Sequence, residues 1–265
     1  MRDSYGRKIT YLRVSVTDRC NLRCVYCMPA SGVPLLGRGE ILSYEQIALA
    51  VEAASRLGFR KVRLTGGEPL ARRGVANLVS LLAEIPGIET LAMTTNGTLL
   101  APLAAELKRR GLGSVNISLD TLDPARYAEL TRGGRVEDAL RGVRAALAAG
   151  LPVKLNVVVL EDTTAGERER MRAFAAEVGS RVQFIARYRL DRPKGDDGPY
   201  DRPPPCGLCD RLRLLADGRL RPCLHCAGTV RLDWADLEGS IRRAVAAKPP
   251  RGLAAADLAV GQIGG

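Results

Sequence analysis

The chain has 265 residues, of which 46% are apolar and only 4% aromatic, and a formal net charge of +11. That length can bury one substantial core and a small appendage, built from Leu, Val, Ala and Ile because aromatics are scarce. No apolar h-region opens the chain and no run reaches the roughly 18 apolar residues of a membrane span, which excludes a secreted or spanning protein and predicts a cytoplasmic one.

The first apolar run, Leu12 to Thr17, reads as a strand and leads into Cys20-Asn21-Leu22-Arg23-Cys24-Val25-Tyr26-Cys27, a CX3CX2C loop. A cubane iron-sulfur cluster wants one ligand for each of its four irons, so three thiolates on one short loop leave one iron open to a small molecule. Zinc loops usually pair CX2C or CX4C and have no use for Tyr26 beside the third thiolate. Further β-branched runs follow at Lys61 to Thr65, Thr90 to Thr94, Ser114 to Leu119, Pro152 to Val159 and Arg181 to Ile185. Each except the last is followed by an Ala/Leu/Arg stretch of helical spacing. Ser43 with Gln46 resembles a capping box ahead of Ile47 to Leu57, and Gly58 stops that helix. Six strands and five crossovers predict a parallel sheet with helices outside.

The two faces of these strands differ. At a period of two, Leu12, Val14 and Val16 oppose Arg13, Ser15 and Thr17; Val62 and Leu64 oppose Lys61, Arg63 and Thr65. Val115, Ile117 and Leu119 oppose Asn116, Ser118 and Asp120, and Val153, Leu155 and Val157 oppose Lys154 and Asn156. The apolar faces should pack on the helices, leaving a polar, cationic interior unlike the apolar filling of a closed barrel. A partial, open (β/α)6 TIM-like barrel holding a polyanion is therefore expected, since converging cations need anions to meet them.

Function should sit at the carboxyl ends of the strands. The cysteine loop follows the first strand, Gly66-Gly67-Glu68-Pro69 the second, Thr94 to Gly97 ends the third and Ser118 the fourth. Paired glycines give an unhindered backbone for the amino group of a bound amino acid, with Glu68 as a charged acceptor. The barrel is assigned to residues 1–190, the Pro/Gly/Asp-rich stretch 191–205 to a linker and 206–265 to a C-terminal segment. There Cys206 and Cys209 precede Cys223 and Cys226, with a hairpin signal at Asp217-Gly218 between them. Two CX2C pairs across a hairpin fit a zinc ribbon as well as a second cluster. Seven cysteines in two groups are no disulfide framework and imply a reducing compartment.

The CX3CX2C loop with its aromatic, together with Gly66-Gly67-Glu68-Pro69, resembles the radical S-adenosylmethionine (SAM) enzymes. The second cysteine set followed by Arg211-Leu212-Arg213, the stretches Leu12 to Asn21, Arg63 to Leu70, Met93 to Gly97 and Asn116 to Asp120, and the terminal Gly264-Gly265 resemble the GTP 3',8-cyclase (MoaA) family of molybdopterin biosynthesis. The resemblance implies two 4Fe-4S clusters, one held by Cys20, Cys24 and Cys27 and one by Cys206, Cys209 and Cys223. It further implies SAM contacts at Tyr26, Gly67 and Ser118, and GTP contacts at Arg13, Lys61, Arg63, Thr94, Lys154, Arg211 and Arg213. An electron-donor protein and GTP are the implied partners, a homodimer is among the assemblies allowed, and neither nucleic acid nor membrane is expected.

The sixth strand departs from the family's Arg-Phe-Ile-Glu pattern, with Gln183 and Ala186 at its ends and Tyr188 where a methionine is usual. Cys226 would close the second cluster if it were a ligand, and His225 is a lesser candidate for that position. Two other readings stay open: a radical SAM enzyme with another substrate, such as peptide maturation with a closed auxiliary cluster, and a basic zinc-ribbon protein binding nucleic acid. The last lacks interleaved aromatics for base stacking.

Overall fold

The polar and apolar faces of the strands sort onto opposite sides of one sheet in the computed structural model, which describes residues 1–187, 189–191, 193–194, 200 and 205–255. Tyr188, the terminal Gly264-Gly265 and much of the expected linker lie outside the described residues. The strands are β1 (Tyr11–Ser15), β2 (Lys61–Thr65), β3 (Thr90–Thr95), β4 (Ser114–Ser118), β5 (Val153–Val159), β6 (Arg181–Ala186), β7 (Arg211–Leu214), β8 (Arg219–Arg221) and β9 (Val230–Arg231). Helices α1 (Tyr44–Arg56), α2 (Val75–Ala83), α3 (Ala104–Arg109), α4 (Pro124–Thr131), α5 (Val136–Ala148) and α6 (Ala165–Glu177) fill the crossovers, and α7 (Leu237–Ala246) follows β9.

The sheet runs β6-β5-β4-β3-β2-β1-β7-β8-β9 and is open. β1 to β6 are parallel, as the alternation of strand and helix predicts. Leu12, Val14, Val62, Leu64, Leu91, Met93, Val115, Ile117, Leu155 and Val157 form the core with the helices. Burying such side chains contributes roughly 1.5–3 kcal/mol each, which fixes the register, because a slip of one residue would turn every charge into the core. At the start of α1, Ser43 Oγ accepts the Gln46 N–H at 3.2 Å and Gln46 Oε1 accepts the Ser43 N–H at 2.8 Å, forming the capping box read from the sequence. Gly58 follows in the left-handed region at φ 88°. No helix among the described residues is long and apolar enough to cross a membrane.

The expected six parallel strands are joined by a seventh. β7 and β8 form the hairpin that Asp217-Gly218 signals, but β7 also pairs in parallel with β1, setting Tyr11 opposite Arg211 and Arg13 opposite Arg213. Four residues of alternating Arg and Leu carry too little local signal to reveal that long-range pairing.

Close packing also fixes a helix. A Cβ on Gly142 of α5 would stand 2.1 Å from the Gly97 carbonyl oxygen, so the turn after β3 can be approached only by glycine. Gly142→Ala should therefore lower the unfolding free energy by about 1–3 kcal/mol through overpacking. Urea denaturation of the chain would check this, and an unchanged midpoint would show that the contact is not constraining.

Candidate active site

The loop between β1 and α1 is held from three sides before any ligand is considered. Arg23 and Val25 donate their N–H groups to the carbonyls of Thr131 and Leu130 at the end of α4. Arg132, the one non-glycine residue in the left-handed region among those described (φ 55°), reaches across to the carbonyls of Arg23 and Met28 at 2.8 and 2.9 Å. On the opposite side Asn96 donates to Asn21 Oδ1 at 2.9 Å and to Cys20 Sγ at 3.9 Å.

Gly66 and Gly67 are required by this same loop. Cβ atoms there would lie 2.5 Å from the Thr17 carbonyl and 2.3 Å from that of Arg19, while Gly67 and Glu68 donate N–H bonds to those carbonyls. Glu68, 1% exposed, joins β2 to β3: its carboxylate accepts the Leu70 N–H, the Thr95 hydroxyl and the Asn96 N–H. Burial pushes its carboxyl up to about 7 against those three donors. One lone-pair direction is left for a ligand amine.

These loops open on a cavity of about 230 Å³ inside the curve of the sheet. Cys20, Cys24, Tyr26, Cys27, Gly66, Gly67 and Glu68 line one part of it, and Arg13, Lys61, Arg63, Thr94, Ser118, Lys154 and Arg211 another. Of the expected site residues on the barrel strands and their loops, all share this space. The buried amide oxygen of Asn156, also in the lining, has no hydrogen-bond partner among the described residues. Burial pushes the Cys24 thiol up to about 12 and that of Cys27 well above its usual value, with Asp120 and the neighbouring thiols adding to it. Three half-buried thiols converge here, and a bound cationic centre would hold them as thiolates despite their raised pKa values, so the donor set fits an iron cluster. Tyr26 donates its hydroxyl to Asp120 at 2.5 Å, and burial holds Asp120 near 6.

The cations are organised by Tyr11, which sequence reading left out although it shares the period-two face of Arg13. Its hydroxyl accepts from Arg63 Nε at 2.7 Å, while Lys61 and Arg211 lie 4.8 and 5.6 Å from its ring centroid. Lys154 donates to Gln183 at 2.8 Å, so the residue that departs from the family pattern faces the lumen.

Beside this lumen lies a second cavity of about 60 Å³, lined by Cys206, Cys209, Cys223, Arg213, His225 and Lys248 among others. Arg211 lines both cavities. Cys226 is not in the second lining: its thiol faces the carbonyls of Cys223 and Gly228 at 3.4 and 3.7 Å. Three thiols face inward, not the four of a zinc ribbon. Among the described residues no three His, Cys, Asp or Glu side chains are gathered at the spacing of a single metal ion. Arg7, also missed from sequence, holds the Cys206 carbonyl at 3.0 Å and that of Pro249 at 2.7 Å.

Residues 14–175 match the Radical SAM superfamily. The chain is 41% identical to the GTP 3',8-cyclase of Moorella thermoacetica over 91% of its own length and 88% of that relative's. The chain belongs to the GTP 3',8-cyclase family of radical SAM enzymes. It is 44% identical to the GTP 3',8-cyclase of Heliobacterium modesticaldum, covering 85% of this chain and 84% of that one. Among solved structures, anSMEcpe with bound AdoMet superposes with a TM-score of 0.65 at 15% identity, over 91% of this chain and 81% of that one. SuiB of Streptococcus suis bound to its precursor peptide SuiA gives a TM-score of 0.60 at 19% identity; 70% of this chain is covered, spanning 41% of the length of that one. At these identities the likeness is one of fold, which the family shares beyond the cyclases.

The electrostatics of this radical SAM lumen can be tested directly. Burial disfavours the Tyr11 phenolate, but the charges of Arg13, Arg63, Arg211 and Lys61 outweigh it and bring the phenol down to about 8. A bound polyanion would neutralise those charges and return the value towards 10. Ultraviolet difference titration should show one tyrosine ionising near pH 8 and shifting upward when inorganic triphosphate is added; an unmoved titration would place the polyanion elsewhere.

Proposed function

We propose that this chain converts GTP to (8S)-3',8-cyclo-7,8-dihydroguanosine 5'-triphosphate, the first step of molybdopterin biosynthesis. The observation that carries the reading is the pair of three-cysteine sets on adjoining cavities that share Arg211, with a cationic lumen on one side. Membership of the cyclase family supports the same substrate.

Cys20, Cys24 and Cys27 would hold the first four-iron cluster, and Cys206, Cys209 and Cys223 the second. The first cluster, with SAM bound, would supply the reducing radical chemistry by which a hydrogen atom leaves the ribose 3' carbon. The chain's side chains do the positioning. Gly66, Gly67 and Glu68 meet the amino end of SAM, and Tyr26 and Ser118 flank it. Arg13, Lys61, Arg63 and Lys154 face the triphosphate, with Thr94 as a neutral donor; the forked guanidinium and the compact ammonium both suit phosphate oxygens. Arg211, delivered by β7 and lining both cavities, would reach the triphosphate and the second cluster, while Arg213 lines the second cavity beside it. With the Cys226 thiol turned to the carbonyls of Cys223 and Gly228, a cluster held by the other three cysteines would have a position open to the guanine. An electron-donor protein in a reducing cytoplasm completes the requirements.

In an anaerobic incubation of cluster-reconstituted chain with SAM, a strong reductant and GTP, mass spectrometry should find 5'-deoxyadenosine and a GTP isomer of altered retention rising together only when GTP is present. Deoxyadenosine formed with GTP intact would sink the cyclase reading and favour another substrate, to which Gln183 in place of an arginine would point. Cys27→Ser should abolish SAM cleavage. Arg211→Ala should weaken GTP binding by roughly ten- to a hundredfold, the worth of a charged hydrogen bond. Unchanged affinity would remove Arg211 from the site.

A further inference from the structure

Lys248 stands just beyond the C-terminus of α7 and is 3% exposed. Its ammonium donates to the Arg211 carbonyl at 2.6 Å and the Pro222 carbonyl at 2.8 Å, and lies 3.7 Å from Cys209 Sγ. Arg211 opens β7 and Pro222 follows β8, so one side chain joins both arms of the hairpin that Cys209 and Cys223 flank. Two carbonyls take two of its three hydrogens and leave its charge uncompensated, and among the described residues no carboxylate lies within ion-pair distance of it. Arg7, Arg211 and Arg213 line the same small cavity and add charge of the same sign. A buried cation in such company needs an anion, and three thiolates around a doubly positive four-iron core carry a net negative charge that grows on reduction.

We propose that Lys248 is a positioning residue of the second cluster: it donates an N–H···S bond to the Cys209 thiolate, supplies the counter-charge of the thiolate-held group, and raises its reduction potential. The proposal rests on the reading that Cys206, Cys209 and Cys223 hold a cluster. No step of the cyclisation is assigned to Lys248, and its effect is on the charge of the site.

The test uses the reconstituted full chain and three substitutions: Lys248→Met, which removes charge and donors; Lys248→Gln, which keeps a donor without charge; and Lys248→Arg, which keeps the charge. Iron analysis comes first. About four irons per chain in the wild type would show that the second cluster is absent, overturning the underlying reading and the proposal with it, whereas about eight isolates Lys248 as the question. Redox titration followed by electron paramagnetic resonance should then show the second cluster shifted at least tenfold towards oxidation in the Met and Gln variants, about 59 mV for one electron. The first cluster should stay in place as the internal control, and the Arg variant should remain near the wild type. Loss of the second cluster in the Met and Gln variants but not in the Arg variant would equally support the role of the charge. Full loading with an unmoved potential in Met and Gln, or failure of all three variants to load, would overturn it.

Discussion

The parallel pairing of β7 with β1 is the constraint on which both halves of the site depend. It sets Arg211 beside Tyr11 and Arg213 beside Arg13, bringing the second set of cysteines to the wall of a lumen whose first set lies at the other end of the chain. The pairing also concentrates like charges. Two unit charges about 4 Å apart repel by about 4 kcal/mol at a near-surface dielectric. Tyr11 partly offsets this by presenting its ring to Lys61 and Arg211 and its hydroxyl to Arg63, and the remainder leaves an excess of positive charge in the lumen.

On the other side of β1, backbone contacts knit the motifs into one unit. Gly66 and Gly67 lie against the carbonyls of Thr17 and Arg19, Glu68 binds the turn after β3, and Asn96 of that turn returns to Asn21 and Cys20. The glycines thus serve the packing of two loops as well as any ligand. A substitution there would displace the cysteine loop and the carboxylate together, which couples the geometry of Cys20 to that of Glu68.

Around the second cavity the support comes from the chain termini. Arg7 holds the Cys206 and Pro249 carbonyls, Gly252 donates its N–H to Cys206 Sγ at 3.3 Å, and Lys248 spans the hairpin. A site so dependent on residues distant in sequence should assemble late, after β1 and β7 have met, because contacts of high sequence separation require closure of a long loop first.

Sequence alone determined the six strands, their polar and apolar faces, the capping box of α1 and the gathering of Arg13, Lys61, Arg63 and Lys154 in one lumen. These features follow from local periodicity and from the cost of burying charge, which the order of residues expresses directly. The two cysteine sets and the hairpin at Asp217-Gly218 were legible for the same reason, since spacing and turn chemistry are short-range. Only the tertiary structure decided that β7 continues the sheet beside β1, that the Cys226 thiol turns to the carbonyls of Cys223 and Gly228, and that Arg7, Tyr11, Arg132 and Lys248 support the two cavities. Those outcomes depend on which distant backbone groups meet a given side chain, and no local pattern encodes that meeting.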